Sequence, residues 1–422
     1  MRFSSLQDWL DWQQSLHPRA IDLGLDRVRT VLGRLGLVRP AACVLTIGGT
    51  NGKGSVVAYL DAILREAGYD VGTFTSPHLV RYNERVRVGG RCATDAELVE
   101  AFGLIDEARG DLSLTYFEWN ALAAFSILGG AGLDAAVLEV GLGGRLDAVN
   151  VIDPDVATIV SVSLDHLDWL GPTVEDIGRE KAGIFRADRP AIFGSRRVPL
   201  SVIDVASRLG ARLRRLGVDF DFVERPDGWD YVGLGSRRAE LPLPAIAGAA
   251  QLANAATALA VLEASEPSLL VPDECVRRGL ATTRIAGRFQ VVEGQPEWIL
   301  DVAHNADAAG VLAQSLATRP CRGRTLAVCG ILGDKDVDAI ARSLASAVDE
   351  WFAVGLEESR GIEPAELAQR LEAATGRPAQ VRRDVAEGCA AASGAARQDD
   401  RILVFGSFHA VGPALEWLGL AV

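Results

Sequence analysis

Residues 41–55 read Ala41-Ala42-Cys43-Val44-Leu45-Thr46-Ile47-Gly48-Gly49-Thr50-Asn51-Gly52-Lys53-Gly54-Ser55, and this stretch decides the fold. Its first seven residues carry no charge and read as a buried strand, the glycines as a tight loop, and residues 56–67 as a helix ended by Gly68. Strand, glycine loop and helix in that order open a parallel α/β sheet. Backbone amides freed by glycines, with the N-terminal end of the following helix, cradle phosphate groups, and a lysine reaches the outer phosphates. The spacing departs from the general GxxxxGK[ST] pattern. The loop is one residue shorter before Gly52, and Gly54 separates Lys53 from Ser55.

Downstream, residues 70–75, 134–140 and 155–163 are further apolar runs of strand type, and helices are expected over 95–109, 117–128 and 175–184. Residues 212–244 break into short pieces around Pro226, Gly228, Gly233 and Gly235, a small β-rich excursion before a helix of small residues over 249–264. From about Gln290 a second alternation begins. It has strands over 298–302, 325–329, 350–354 and 401–405, and helices over 306–316, 337–348, 364–374 and 385–396. The expected fold is α/β: a P-loop parallel-sheet N-terminal domain over 1–286, then a smaller Rossmann-like α/β C-terminal domain over 287–422.

The 422 residues include 43 basic and 56 acidic ones, a formal charge of −13. Such a balance argues against a general nucleic-acid or anionic-membrane binder, while a local pocket for one anionic ligand remains open. No run approaches the ~18–20 apolar residues of a membrane span. The first residues carry Asp8 and lack an apolar signal core, so a cytoplasmic protein is expected. Six scattered cysteines (Cys43, Cys92, Cys275, Cys321, Cys329, Cys389) form no CxxC pair, which suits reduced, mostly buried thiols. Only three of the basic residues are lysines: Lys53, Lys181 and Lys335. A compact ammonium enters a phosphate loop, and a neutral amine reacts with carbon dioxide or a carbonyl, neither of which guanidinium does. These lysines therefore mark places to look for chemistry.

Ser76, Glu139 and His166 stand at the ends of strand-type runs, where open parallel sheets line their ligand crevice. A hydroxyl, a carboxylate and an imidazole converging there could hold a divalent ion against triphosphate oxygens. Taken alone, His166 reads equally as a hydrogen-bonded loop histidine and Lys181 as a surface lysine paired with an acid. Glu139 at the end of an apolar strand needs a cation nearby. Asp301-Val302-Ala303-His304-Asn305, Gly330 to Asp336 and Gly406-Ser407-Phe408-His409 likewise end strands of the second unit, which gives it a polar binding edge. Four of the five histidines, His78, His166, His304 and His409, lie in these segments.

The ordered set GGTNGKGS (48–55), TSPHLVRYNERVRV (75–88), LEVGLGGRLDAVN (138–150), LDHLDWLG (164–171), IGREKAGIFR (177–186), GRFQ (287–290), DVAHN (301–305), GDKD (333–336) and GSFH (406–409) resembles the folylpolyglutamate synthase/dihydrofolate synthase family of the Mur ligase superfamily. The likeness runs from Ile21-Asp22-Leu23-Gly24-Leu25 to His409. It implies a Mur ligase-like ATP-dependent amide ligase that works between its two domains. By resemblance Thr50, Asn51, Gly52, Lys53, Gly54 and Ser55 hold the phosphates of ATP, with Asn254, Arg288, Asp301 and His304 as further nucleotide contacts. Ser76, Glu139 and His166 would bind Mg2+, with Lys53, His166 and Lys181 the catalytic set and Lys181 the lysine that the family carboxylates. Ala20, Ile21, Asp22, Leu23, Thr115, Tyr116, Phe117, Glu118, Leu146, Asp147 and Ala148 correspond to the pterin–aminobenzoate pocket. Ser407 and His409 are candidates for the incoming glutamate. The implied substrates are dihydropteroate, reduced folates, L-glutamate and ATP, and the implied state is a monomer. A folylpolyglutamate synthase alone, a Mur-type ligase of cell-wall precursors and a P-loop ATPase or kinase remain the alternatives.

Overall fold

The structure is a computed structural model that describes residues 2–17, 19 and 21–420. The uncharged run becomes β1 (Cys43–Gly48), buried along its whole length. The same sheet contains β2 (Val71–Phe74), β3 (Val86–Val88), β4 (Arg91–Cys92), β5 (Ala135–Glu139), β6 (Val156–Ile159), β7 (Pro190–Phe193) and β8 (Arg212–Arg215). Their spatial order is β4-β3-β2-β5-β1-β6-β7-β8. The six strands from β2 to β8 in this order are parallel, and the β3–β4 hairpin adds an antiparallel edge at the β2 end. Helices cover both faces, so β1 and β5 carry apolar residues on both sides rather than an alternation. The chain leaves β1 for β2 on one side of it and leaves β5 for β6 on the other. The carboxyl ends of β1, β5 and β6 therefore open a crevice at the switch point.

On one face, helix Lys53–Glu66 packs against helices Gln251–Ala264 and Asp273–Thr282. The approach to the latter is close because of Gly279, where an added Cβ would meet Ile63 Cα at 2.8 Å. The other face lies under helices Leu6–Leu16, Asp26–Arg34, Asp95–Arg109 and Tyr116–Gly129. The β-rich excursion is narrower than 212–244. Residues 212–215 are β8, because they pair in parallel with β7, and only β9 (Asp221–Arg225), β10 (Gly228–Val232) and β11 (Arg237–Leu241) form a separate antiparallel sheet.

The second sheet comprises β12 (Gln290–Val292), β13 (Glu297–Asp301), β14 (Thr325–Cys329), β15 (Glu350–Val354), β16 (Ala379–Arg382) and β17 (Arg401–Phe405), in the order β12-β13-β17-β14-β15-β16. Only β12 runs antiparallel. The carboxyl ends of β13, β14 and β17 share one edge, which faces the crevice of the first sheet. The six cysteines are free, four of them buried. No helix among the described residues is long and apolar enough to cross a membrane.

Candidate active site between the two sheets

The glycine loop adopts the conformation its composition permits. Gly49 has φ +143° and Gly52 φ +86°. A Cβ on Gly52 would lie 2.7 Å from Asn254 Oδ1 and 2.8 Å from Val160 Cγ1, so only glycine fits there. The loop is tied to the segment after β6: Thr50 N–H donates to Ser161 O at 2.8 Å, Asn51 N–H to Ser161 Oγ at 2.9 Å, and Ser163 N–H to Thr50 Oγ1 at 3.1 Å. Lys53 curls over the loop it belongs to, its Nζ donating to Gly49 O at 3.1 Å and Thr50 O at 3.2 Å. Ser55, in the first helical turn, has a buried hydroxyl with no hydrogen-bond partner among the described residues.

Glu139, at the end of β5, is 4% exposed and faces Lys53 Nζ across 4.0 Å. Burial pushes its carboxyl up, opposed by the charges of Lys53 and Arg288. His166 sits in the left-handed region (φ +52°), which turns its side chain out of the loop into the cleft. Burial lowers its imidazole to about 4, against the pull of Asp165, so the ring is neutral at physiological pH. Lys181 is 5% exposed and donates to Gly49 O at 3.1 Å. Burial, then the charge of Lys53, lowers its amine to about 7. This is no surface lysine. Its helix turns it inward beneath the phosphate loop.

From the other sheet come Arg288, Asp301 and His304. Asp301 accepts the N–H groups of Phe289 and Ala303, both at 2.8 Å, which pins the interdomain segment to the end of β13. Burial raises its carboxyl, and burial lowers the Arg288 guanidinium. Arg288 lies over the Phe408 ring, 5.0 Å from its centroid. His304 Nδ1 is 2.8 Å from Val302 O, and because a carbonyl oxygen can only accept, that nitrogen carries a proton and donates it. Thr50 to Ser55, Ser76, Glu139, His166, Lys181, Asn254, Arg288, Asp301 and His304 all line one cleft of about 230 Å3, whose wall also includes Val311 and Leu312.

The remaining candidates lie farther out. Thr115 caps helix Tyr116–Gly129, and Glu118 returns the bond to the Thr115 N–H at 2.8 Å. Phe117 packs over Gly141, where a Cβ would be 2.4 Å from its Cζ. Asp147 accepts from Leu142 N–H and Val149 N–H, both at 2.9 Å, and burial raises it to about 6. Ala148 is buried and Leu146 half-buried beside it. Asp22 joins this patch through Arg27, which donates to Asp22 Oδ2 at 2.7 Å and Glu118 Oε1 at 3.0 Å, and Ile21 and Leu23 flank it in the chain. Ala20 lies outside the described residues. Ser407 and His409 are not among the residues that line this cleft. The Ser407 hydroxyl caps its helix, accepting from His409 N–H at 3.1 Å, and His409 Nε2 faces Glu358 at 3.7 Å.

No three His, Cys, Asp or Glu side chains among the described residues cluster as a metal site. The donor set of Ser76, Glu139 and His166 nevertheless suits a hard divalent ion shared with phosphate oxygens. It offers one hydroxyl, one buried carboxylate and one neutral imidazole, and leaves the remaining coordination positions to the nucleotide and water.

Residues 47–193 match the Mur ligase middle domain, and residues 287–408 the Mur ligase, glutamate ligase domain. The dihydrofolate synthase/folylpolyglutamate synthase of Escherichia coli strain K12 is 45% identical over 98% of this chain and 95% of its own length. The chain belongs to the dihydrofolate synthase/folylpolyglutamate synthase family of Mur ligases. Escherichia coli FolC in complex with DHPP and ADP covers 99% of this chain and 98% of its own, at 45% identity and a TM-score of 0.94. The bifunctional enzyme of Yersinia pestis, complexed with AMPPNP and Mn ion, has 46% identity, the same coverage and a TM-score of 0.93.

The family's motifs do not mark Arg27, Asp165, Asn305 or Phe408 as individual site residues. Arg27 lies two residues beyond the Ile21 to Leu25 segment and outside every quoted motif. Asp165 lies in LDHLDWLG beside His166, and Phe408 in GSFH between Ser407 and His409.

Proposed function

We propose that this chain is an ATP-dependent carboxylate–amine ligase that adds L-glutamate to 7,8-dihydropteroate and further glutamates to reduced folates. The observation that carries the reading is the meeting of the phosphate loop, Glu139, His166 and Lys181 from one sheet with Arg288, Asp301 and His304 from the other, in one cleft. A lone P-loop switch would not need the second set.

A carboxylate does not react with an amine at neutral pH, so it is first activated. An acceptor carboxylate oxygen attacks the γ-phosphorus of ATP and ADP leaves, giving an acyl phosphate. The amine of glutamate then attacks the acyl carbon, the C–O bond to phosphate breaks, and orthophosphate leaves as the amine loses a proton. Lys53 neutralises charge on the transferring group, aided by the loop amides from Thr50 to Ser55. Asn254, Arg288, Asp301 and His304 hold the nucleotide, with Val311 and Leu312 offering an apolar wall to its base. Ser76, Glu139 and His166 would hold Mg2+, which when bound neutralises charge between the β- and γ-phosphates. Lys181, with an amine near neutrality, is suited to capture carbon dioxide as a carbamate and so present a carboxylate beneath the phosphate loop.

The patch of Ile21 to Leu23, Thr115 to Glu118 and Leu146 to Ala148 holds the pterin and aminobenzoate rings, with Phe117 as the stacking surface. Residues 1–286 and 287–422 act as the two closing domains. The enzyme works as a monomer, since one chain supplies every group, and in the cytoplasm, where six free thiols stay reduced.

The test is ADP release with Mg-ATP and L-glutamate, offering dihydropteroate or tetrahydrofolate as acceptor, with products identified by mass. Activity with both supports the bifunctional reading. Activity with tetrahydrofolate alone restricts it to polyglutamate synthesis, and activity with neither refutes it.

A further inference from the structure

Asp165, Asn305 and Lys335 make a polar circuit across the junction of the two sheets, and the chemistry above uses none of them. Asp165 ends the segment after β6, directly before His166. Its carboxylate accepts from Lys335 Nζ at 2.7 Å and from Asn305 Nδ2 at 3.1 Å, both on loops of the second sheet. Asn305 in turn exchanges two side-chain hydrogen bonds with Asn51 of the phosphate loop, accepting from Asn51 Nδ2 at 3.1 Å and donating to Asn51 Oδ1 at 3.0 Å, and Asn51 also donates to Asp307 at 3.0 Å. Asp165, Asn305 and Lys335 are each no more than 9% exposed. Lys335 is held on its own side by Asp334 at 3.2 Å. His304 Nε2 and His166 Nε2 lie 3.6 and 3.9 Å from the same Asp165 carboxylate.

A buried ion pair contributes little net stability, because the cost of desolvation offsets its attraction. What it can supply is geometry. Only one placement of the sheets brings Lys335 Nζ, Asn305 and Asn51 to their partners together. Removing one member leaves a charge in the junction that only water can satisfy.

We propose that the Asp165–Lys335 pair, with Asn305 and Asn51, is the latch that holds the two domains closed over the nucleotide and keeps water from the acyl phosphate. Asp165 and Lys335 are positioning residues. They fix the phosphate loop against the segment from Asp301 to Asn305, and they account for the third lysine of the chain. With the latch broken, water adds to the acyl carbon and the C–O bond to phosphate breaks. Orthophosphate and the starting carboxylate are released, protons passing to solvent, so ATP is consumed without ligation. The proposal rests on the ligase reading.

The test compares wild type, Asp165→Asn, Lys335→Met and the double variant, counting ADP formed per amide formed with dihydropteroate as acceptor. Wild type gives one ADP per amide. Each single variant is expected to raise the KM for ATP on the order of tenfold and the ratio well above one. The double variant is expected to be no worse than the worse single, because both lose the same pair. Amide hydrogen exchange over residues 161–166, a readout independent of turnover, is expected to quicken in both singles while β1 stays protected. Losses that multiply in the double variant, or a ratio of one with unchanged exchange in both singles, would overturn the latch. A wild type that releases ADP without amide would refute the ligase reading instead, and the exchange data would still judge the latch. Should Lys335→Met fail to fold, Lys335→Gln takes its place.

Discussion

Replacing Lys181 by methionine is expected to abolish ligation while making the protein more stable. The amine is buried against Gly49 O, and burial together with Lys53 lowers its pKa from 10.5 to about 7. In the unfolded chain the group keeps its ordinary value, so between about pH 7 and 10.5 the unfolded state binds the extra proton. The destabilising contribution is therefore full below the folded value and is relieved as pH rises toward the unfolded one. Near neutrality the shift corresponds to about 4 kcal/mol, at 1.36 kcal/mol per unit. Methionine removes that cost but leaves Gly49 O one donor short, worth about 1–3 kcal/mol. A net gain of about 2 kcal/mol, a few degrees in Tm, is expected in carbonate-free buffer near pH 7. The same pKa sets the pH dependence of carbamate formation, which needs the neutral amine. Roughly one tenth of the groups are neutral at about pH 6 and nine tenths at about pH 8. The assay is uptake of isotopically labelled bicarbonate followed by NMR across that interval, with Tm measured for both proteins. Equal labelling of wild type and Lys181→Met, labelling that does not rise with pH, or a lower Tm for the variant would each refute the reasoning.

Lys53→Ala removes the only ammonium on the phosphate loop and is expected to lower kcat at least a thousandfold with the fold retained, checked by ADP release and circular dichroism. Gly52→Ala forces a side chain into φ +86° and against Asn254. The KM for ATP should rise at least tenfold, whereas an unchanged value would mean that the loop does not hold the nucleotide. Arg27→Met unties Asp22 from Glu118, so the KM for dihydropteroate should rise about tenfold while that for ATP stays within a factor of two. Steady-state kinetics with each substrate varied in turn separates the two cases.

Residues 41–55 determined the first βα unit without help from the rest of the chain. An uncharged strand, glycines that alone tolerate φ +86°, and a helix stopped at Gly68 are local requirements, written residue by residue. The same holds for Asp301 to Asn305 and Gly406 to His409, whose strand-end positions follow from apolar runs that switch to polar loops. Tertiary structure decided which of those ends meet. Strand order brings β5 and β6 to either side of β1, so Glu139 and the loop bearing His166 flank a lysine far from them in the sequence. Residues 212–215, polar and arginine-rich, joined the large sheet because β7 offered a parallel edge, a matter of pairing rather than of composition. Arg27 and Lys335 found their carboxylates 91 and 170 residues away, at Glu118 and Asp165. The Ser407 hydroxyl caps the helix it begins, accepting from His409 N–H. Backbone conformation and burial propensity are properties of short segments and can be read from them. Whether a polar side chain ends in a cleft, a cap or an ion pair depends on which distant segment arrives beside it, and only the packed chain supplies that.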